Sequence, residues 1–127
     1  MKHILKAGTL EAGGHYALAT IAGDLMFVSG LLPTRPGRDH ALVTAPFADQ
    51  MTQVFAHLDA ILAEAEATRD QVAKLSVYLA DITHWPECNT LCARYFADSR
   101  PARCIVPVPT LHYGYLLEIE AVVHLTI

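Results

Sequence analysis

Apolar residues recur every three or four positions from Phe47 to Ala65: Phe47, Met51, Val54, Phe55, Leu58, Ile61, Leu62 and Ala65, with Asp49, Gln53, Asp59 and Glu66 mostly off that stripe. A stripe of this period is the buried face of an amphipathic helix, predicted over 47–67, and Pro46 suits its first turn. The period then shortens to two. Leu75, Val77 and Leu79 alternate with Lys74, Ser76 and Tyr78, the pattern of a half-buried strand. A second helix follows, with Thr83 as its expected N-cap, Pro86 in the first turn and Trp85, Cys88, Leu91, Cys92, Tyr95 and Phe96 on one apolar side; residues 98–101 end it. Nearer the start, the Ala22-Gly23-Asp24 turn signal separates an apolar run at 25–29 from residues 15–21, which predicts a hairpin. Residues 30–45, with Pro33, Pro36 and Gly37, read as a surface loop. The last third holds two strand-like runs, 102–108 and 116–127. Along the second, Leu117, Ile119, Ala121, Val123, Leu125 and Ile127 fall on one side, and Leu116, Glu118, Glu120, Val122, His124 and Thr126 on the other.

The order β-β-α-β-α-β-β predicts an α+β fold: one mixed sheet with both helices packed on a single face. The opposite face is left partly apolar, and a neighbouring subunit is its economical cover. At 127 residues the chain, 1–127, reads as one domain. Its 53% apolar content and mean hydropathy of +0.29 are high for a lone small globule, which again points to a partner. Nine Lys and Arg are scattered against thirteen Asp and Glu for a net charge of −4, whereas a nucleic-acid binder concentrates cations to neutralise phosphates. Nucleic acid and membrane are therefore not expected partners, since no apolar run approaches a membrane span or a secretory h-region. Three cysteines, an odd number, fit reduced thiols and a cytoplasmic location better than a disulfide framework. His84, Cys88 and Cys92 share a helical side, but the outer two lie about 12 Å apart along the axis, too far to hold one metal ion. No internal repeat or low-complexity stretch is present.

The chemistry-bearing residues cluster late. Arg100-Pro101-Ala102-Arg103-Cys104 and Leu117-Glu118-Ile119-Glu120-Ala121 put an arginine at the start of one strand and two same-side glutamates on the next. On a face otherwise holding Leu116 and Val122, such charges are costly unless paired or used. From spacing alone, a structural Arg/Glu pair at a subunit interface and a ligand site stand level. Cys104 beside Arg103 could gain thiolate character, but alternation turns it from the arginine's face, and a buried, apolar-like cysteine is the expectation.

These residues, with Gly14 and Tyr16 near the start, Ser29-Gly30 after the hairpin, and Asn89 ahead of Tyr95-Phe96, resemble the RidA (YjgF/YER057c/UK114) family over nearly the whole length. The resemblance implies a chorismate-mutase-like α+β fold, a homotrimer with ligand sites in clefts between subunits, and no cofactor or metal. It further implies that Arg103 grips a substrate carboxylate, for which a planar guanidinium is suited. Glu120 matches the acid that positions or deprotonates water, and Tyr16, Ser29, Gly30 and Asn89 match positions around the cleft. The implied reaction is hydrolysis of reactive 2-imino or enamine acids, of the 2-aminoacrylate or 2-iminobutanoate type released by pyridoxal-phosphate enzymes, to 2-oxo acids and ammonia. Three positions depart from the pattern. Ile105 stands where such members carry a cysteine, His15 where a proline is common, and the stretch from Val106 to Tyr115 lacks a usual charged segment. Ile105 is then the residue expected to touch the substrate on the arginine's side. The departures leave open an enzyme of the same type acting on a larger, aromatic-derived or pathway-specific substrate, and a non-catalytic or chaperone-like module that binds small carboxylates.

Overall fold

A computed structural model describes residues 1–125. Ten regular elements follow in chain order: β1 (Lys2–Ile4), β2 (Lys6–Ala7), β3 (Leu10–Glu11), β4 (Ala19–Ala22), β5 (Leu25–Leu31), α1 (Phe47–Glu64), β6 (Val72–Leu79), α2 (Trp85–Phe96), β7 (Ala102–Pro107) and β8 (Leu117–His124). Six strands make one mixed sheet in the order β1-β4-β5-β8-β6-β7, antiparallel except between β6 and β7, which α2 connects. Helices α1 and α2 cover one face. Their buried stripes, Met51, Val54, Leu58 and Ile61 from α1 and Cys88, Cys92 and Phe96 from α2, meet the inward residues of the strands: Met26 and Val28, Leu75, Val77 and Leu79, and Leu117, Ile119 and Val123. The expected α+β fold, mixed sheet and single helical layer are thus present.

The differences lie at element ends and in the first eighteen residues. Strand β1 pairs with β4, and β2 and β3 form a small separate ribbon, none of which the apolar pattern announced because each is only two or three residues long. The hairpin is as expected around Gly23-Asp24, but β4 begins only at Ala19, since the chain before it bends through 13–16. Helix α1 stops at Glu64 rather than at 67, where Glu66 takes a left-handed φ of 56°. The N-cap expected at Thr83 is supplied two residues earlier: the Asp81 carboxylate accepts from the Thr83 amide at 2.9 Å and its hydroxyl at 2.7 Å, starting a 3₁₀ turn that runs into α2. The expected alternation of the last strand holds through His124; Thr126 and Ile127 lie outside the described residues.

Two polar fixtures tie the layers together. Gln50, fully buried on α1, donates to the Val43 and Ala45 carbonyls (3.4 and 3.2 Å) and accepts from the Leu116 amide at 2.9 Å. One amide side chain thus clamps the end of the long connection to the entry of β8. At the other end of the helices, Arg69 makes a two-point bond to Asp59 (3.0 and 2.8 Å), Asp59 accepts from the Tyr95 hydroxyl at 2.5 Å, and Tyr95 stacks on Phe55 with centroids 3.8 Å apart. No helix among the described residues is long and apolar enough to cross a membrane. Replacing Gln50 by leucine strands the Leu116 amide and two carbonyls, and should cost about 2–4 kcal/mol of unfolding free energy, a loss that denaturant titration will detect.

Candidate active site

Strand pairing decides which side chains can meet. Ser76 on β6 is opposite Glu120 on β8 and beside Cys104 on β7, so these three share the face away from the helices. Leu75 pairs with Arg103 and Val77 with Ile105, which puts Arg103 and Ile105 on the helical side. The shared face inferred from spacing for Arg103 and the two glutamates is therefore corrected: within one chain they lie on opposite faces of the sheet. Arg103 and Ile105 do share a side, and Cys104 faces away from them. Cys104 is exposed, not buried as expected, because β7 is the outermost strand and no other element among the described residues covers it.

On the side of the glutamates, a cavity of about 700 Å³ opens between residues 9–16, the connection after β5 and the turn before β8. Tyr16, Gly30 and Glu118 line it. Tyr16 is held by its own loop: its hydroxyl accepts from the Gly13 amide at 3.2 Å, and a Cβ on Gly14 would come within 3.2 Å of its ring. Ser29 and Gly30 sit where the β5–β8 register slips between Val28 and Leu31. The Ser29 hydroxyl donates to the Ala17 carbonyl at 2.6 Å, so it fastens that bulge to the Tyr16 segment. Gly30 lies against the Glu118 carboxylate, where a Cβ would stand 2.7 Å from Oε2. Any larger residue would push the acid out of place. Burial, chiefly, and the neighbouring Glu120 charge raise the Glu118 pKa above the usual carboxylate value, with His112 opposing. A half-buried carboxylate so placed is a stronger base than a solvated one.

Glu120 is occupied differently. Its Oε1 accepts from the Tyr78 hydroxyl at 2.6 Å, and that bond, with burial, pushes the Tyr78 pKa up to about 12. Glu120 lines a separate shallow depression with Phe27, Lys74, Ser76 and Val122 rather than the cavity of Tyr16 and Gly30. The acid that sequence reasoning missed is thus Glu118. The two glutamates share a face and a motif, and only the bulge at Ser29-Gly30 distinguishes the one that reaches the cavity.

The remaining residues form a second group. The Arg103 guanidinium stands 5.7 Å from the Trp85 ring centroid, within cation–π range, and is exposed at the sheet's outer strand. Asn89, one helical turn after Trp85, is exposed on the same helix, and Ile105 is half-buried. Neither Arg103, Asn89 nor Ile105 lines the cavity of Glu118. One chain therefore carries a carboxylate in a hollow and a cation on an open edge, as two separate parts.

A chorismate-mutase-like α+β sheet with a glycine-backed acid and an exposed arginine defines a class of small cleft-bearing proteins, and the comparisons agree with it. Residues 7–125 match the family described as Endoribonuclease L-PSP, and the chain belongs to this family, also known as YjgF/RidA. It is 36% identical to protein HMF1 of Saccharomyces cerevisiae over 111 residues, covering 87% of this chain and 84% of the relative. A RutC family protein of Pyrococcus horikoshii is also 36% identical, over 87% of both chains. The crystal structure of RidA from an Antarctic Psychrobacter superposes with a TM-score of 0.90 at 27% identity, over 98% of this chain and all of that one.

The raised pKa of Glu118 carries a stability consequence. Because the folded value lies above the unfolded one, the native state holds the proton more tightly; the stabilisation this gives is complete below the unfolded value near 4.5 and is lost as pH rises through the folded value. Glu118→Gln should therefore raise the melting temperature at pH 7–8, with the advantage over the parent shrinking toward pH 4 in parallel thermal scans.

Proposed function

We propose that the chain is a hydrolytic deaminase of reactive 2-imino and enamine acids, working as a homotrimer whose sites join the Glu118 hollow of one copy to Arg103 of the next. The observation that carries this reading is the separation just described: each chain has an acid in a cavity without Arg103, and an arginine on an edge without the acid. The open sheet face, where Phe27 is 44% exposed and Val122 half-buried, supports association, because covering it with identical neighbours removes apolar area from water at roughly 25 cal/mol per Å².

In the proposed reaction, the enamine first tautomerises to the imine. Arg103 holds the carboxylate by two parallel charged hydrogen bonds, and Trp85 beneath the guanidinium limits its swing. Glu118 takes a proton from water as the oxygen adds to the imine carbon, the C=N π electrons become a lone pair on nitrogen, and Glu118 hands that proton to the nitrogen to give the neutral carbinolamine. Glu118 then takes the carbinolamine hydroxyl proton as C=O forms and the C–N bond breaks, and passes it to the departing nitrogen, so that ammonia and the 2-oxo acid leave and the carboxylate is regenerated. Glu120, bound to Tyr78, would set the local field that keeps Glu118 basic. Water, a base and a carboxylate anchor suffice for these steps. Such a protein would serve the cytoplasm, where pyridoxal-phosphate enzymes release enamines. RNA cleavage, suggested by the family's description, gains nothing from a net charge of −4 with scattered cations.

The test is accelerated release of 2-oxo acid when 2-aminoacrylate and 2-iminobutanoate are generated in situ by a dehydratase. Arg103→Lys keeps the charge but loses the fork, and should lower kcat/KM at least about tenfold; Glu118→Gln should lose on the order of 10²–10⁴-fold. Mixing inactive Arg103→Ala with inactive Glu118→Gln protomers should restore activity through sites that draw both native residues from different chains. A monomer by light scattering, or no recovery after verified subunit exchange, would overturn the shared Arg103–Glu118 site.

A further inference from the structure

Resting on the deaminase reading, we infer that the His112–Tyr113–His40 ring pile in the Glu118 cavity is the side-chain subsite, and that it selects 2-imino acids with flat, aromatic side chains. The three rings are stacked in series. His112 lies 3.6 Å from Tyr113 and His40 3.8 Å from its other face, with interplanar angles of 25° and 22°. All three line the same cavity as Gly30 and Glu118, so the reacting end and the pile belong to one hollow.

The size of that hollow argues against a minimal substrate. A three-carbon imino acid, counted generously at one water's share of roughly 30 Å³ for each of about six heavy atoms, fills no more than about 180 Å³. The cavity encloses about 700 Å³. In the single chain its volume is in the range of sites that take much larger ligands.

The pile is also built, not accidental. Tyr113 occupies a left-handed φ of 65°, an unfavourable conformation for a residue with a ring, in the short turn His112–Gly114. The turn is fixed from both sides: Gly114 donates to the Leu111 carbonyl at 3.0 Å, and Nδ1 of His40 lies 2.8 Å from the hydroxyl of fully buried Tyr115. Tyr113 nevertheless stays 48% exposed. Backbone strain held by a buried anchor thus presents a large aromatic surface to an open cavity. Because the gaps between the rings are already closed, a guest ring would lie against the cavity side of the pile, edge-on or over an outer face, geometries that aromatic pairs favour. Aliphatic two- and three-carbon tails offer no ring to pair with it.

The experiment compares imines made in situ by an L-amino-acid oxidase from alanine and from phenylalanine. The parent protein should show at least a tenfold higher kcat/KM for the phenylalanine-derived imine. That ratio should survive in Tyr113→Phe and fall toward one in Tyr113→Gly, a change that also relieves the backbone; if Tyr113→Gly does not melt cooperatively, His112→Ala is read in its place. A parent ratio near one, or a ratio unmoved by these variants, overturns the inference while leaving the deaminase reading intact. If neither imine is hydrolysed, the deaminase reading fails instead, and the subsite is judged by calorimetry: phenylpyruvate should bind at least tenfold tighter than pyruvate, and equal affinities overturn it.

Discussion

Strand β8, hydrogen-bonded along both edges and packed against the helices on one side, cannot slip by a residue without driving Leu117, Ile119 and Val123 into solvent and two glutamates into the core. That register cost holds the rest of the molecule in place. It brings Glu118 to Gly30 across β5, Glu120 to Tyr78 across β6, and the Leu116 amide to Gln50 beneath. A chemically ordinary carboxylate becomes a half-buried base because its neighbours in the strand have nowhere else to go.

The same strand explains how one Glu-x-Glu motif separates into two environments. A two-residue step along β8 moves about 7 Å and keeps the face. Opposite it, however, β5 carries an extra residue at Ser29-Gly30, so the face seen by Glu118 is a recess and the face seen by Glu120 is an ordinary sheet surface with a tyrosine on it. The positioning is done by backbone, not by charge. Ser29 acts through the Ala17 carbonyl and Gly30 through the side chain it lacks.

Much of this was legible in the chain. The heptad-like stripe of α1, the alternation of β6 and β8 and the Gly23-Asp24 turn reported their elements directly, because burial on one side imposes a period that no other constraint disguises. Short strands β1, β2 and β3 gave no such period, and the Asp81 cap was hidden because an acid two residues before a threonine looks like an ordinary turn. At the site, Tyr16 and Gly30 were found through resemblance and do line the cavity with Glu118. Two things could not be read in advance: the face of Arg103, which depends on parallel pairing with Leu75, and the identity of the cavity acid, which depends on a bulge in a different strand.

The sheet also ends in a way that bears on how this protein behaves at high concentration. One outer strand, β1, is only three residues long and carries Lys2; the other, β7, closes on Pro107, which has no amide hydrogen to offer, with Pro109 two residues beyond. The first border is too short to template cross-β growth, and on the second the row of free backbone donors and acceptors stops at the proline. The sheet's borders are thereby poor templates for edge-to-edge growth, whereas its apolar face, with Phe27 at the surface, lies open in the single chain.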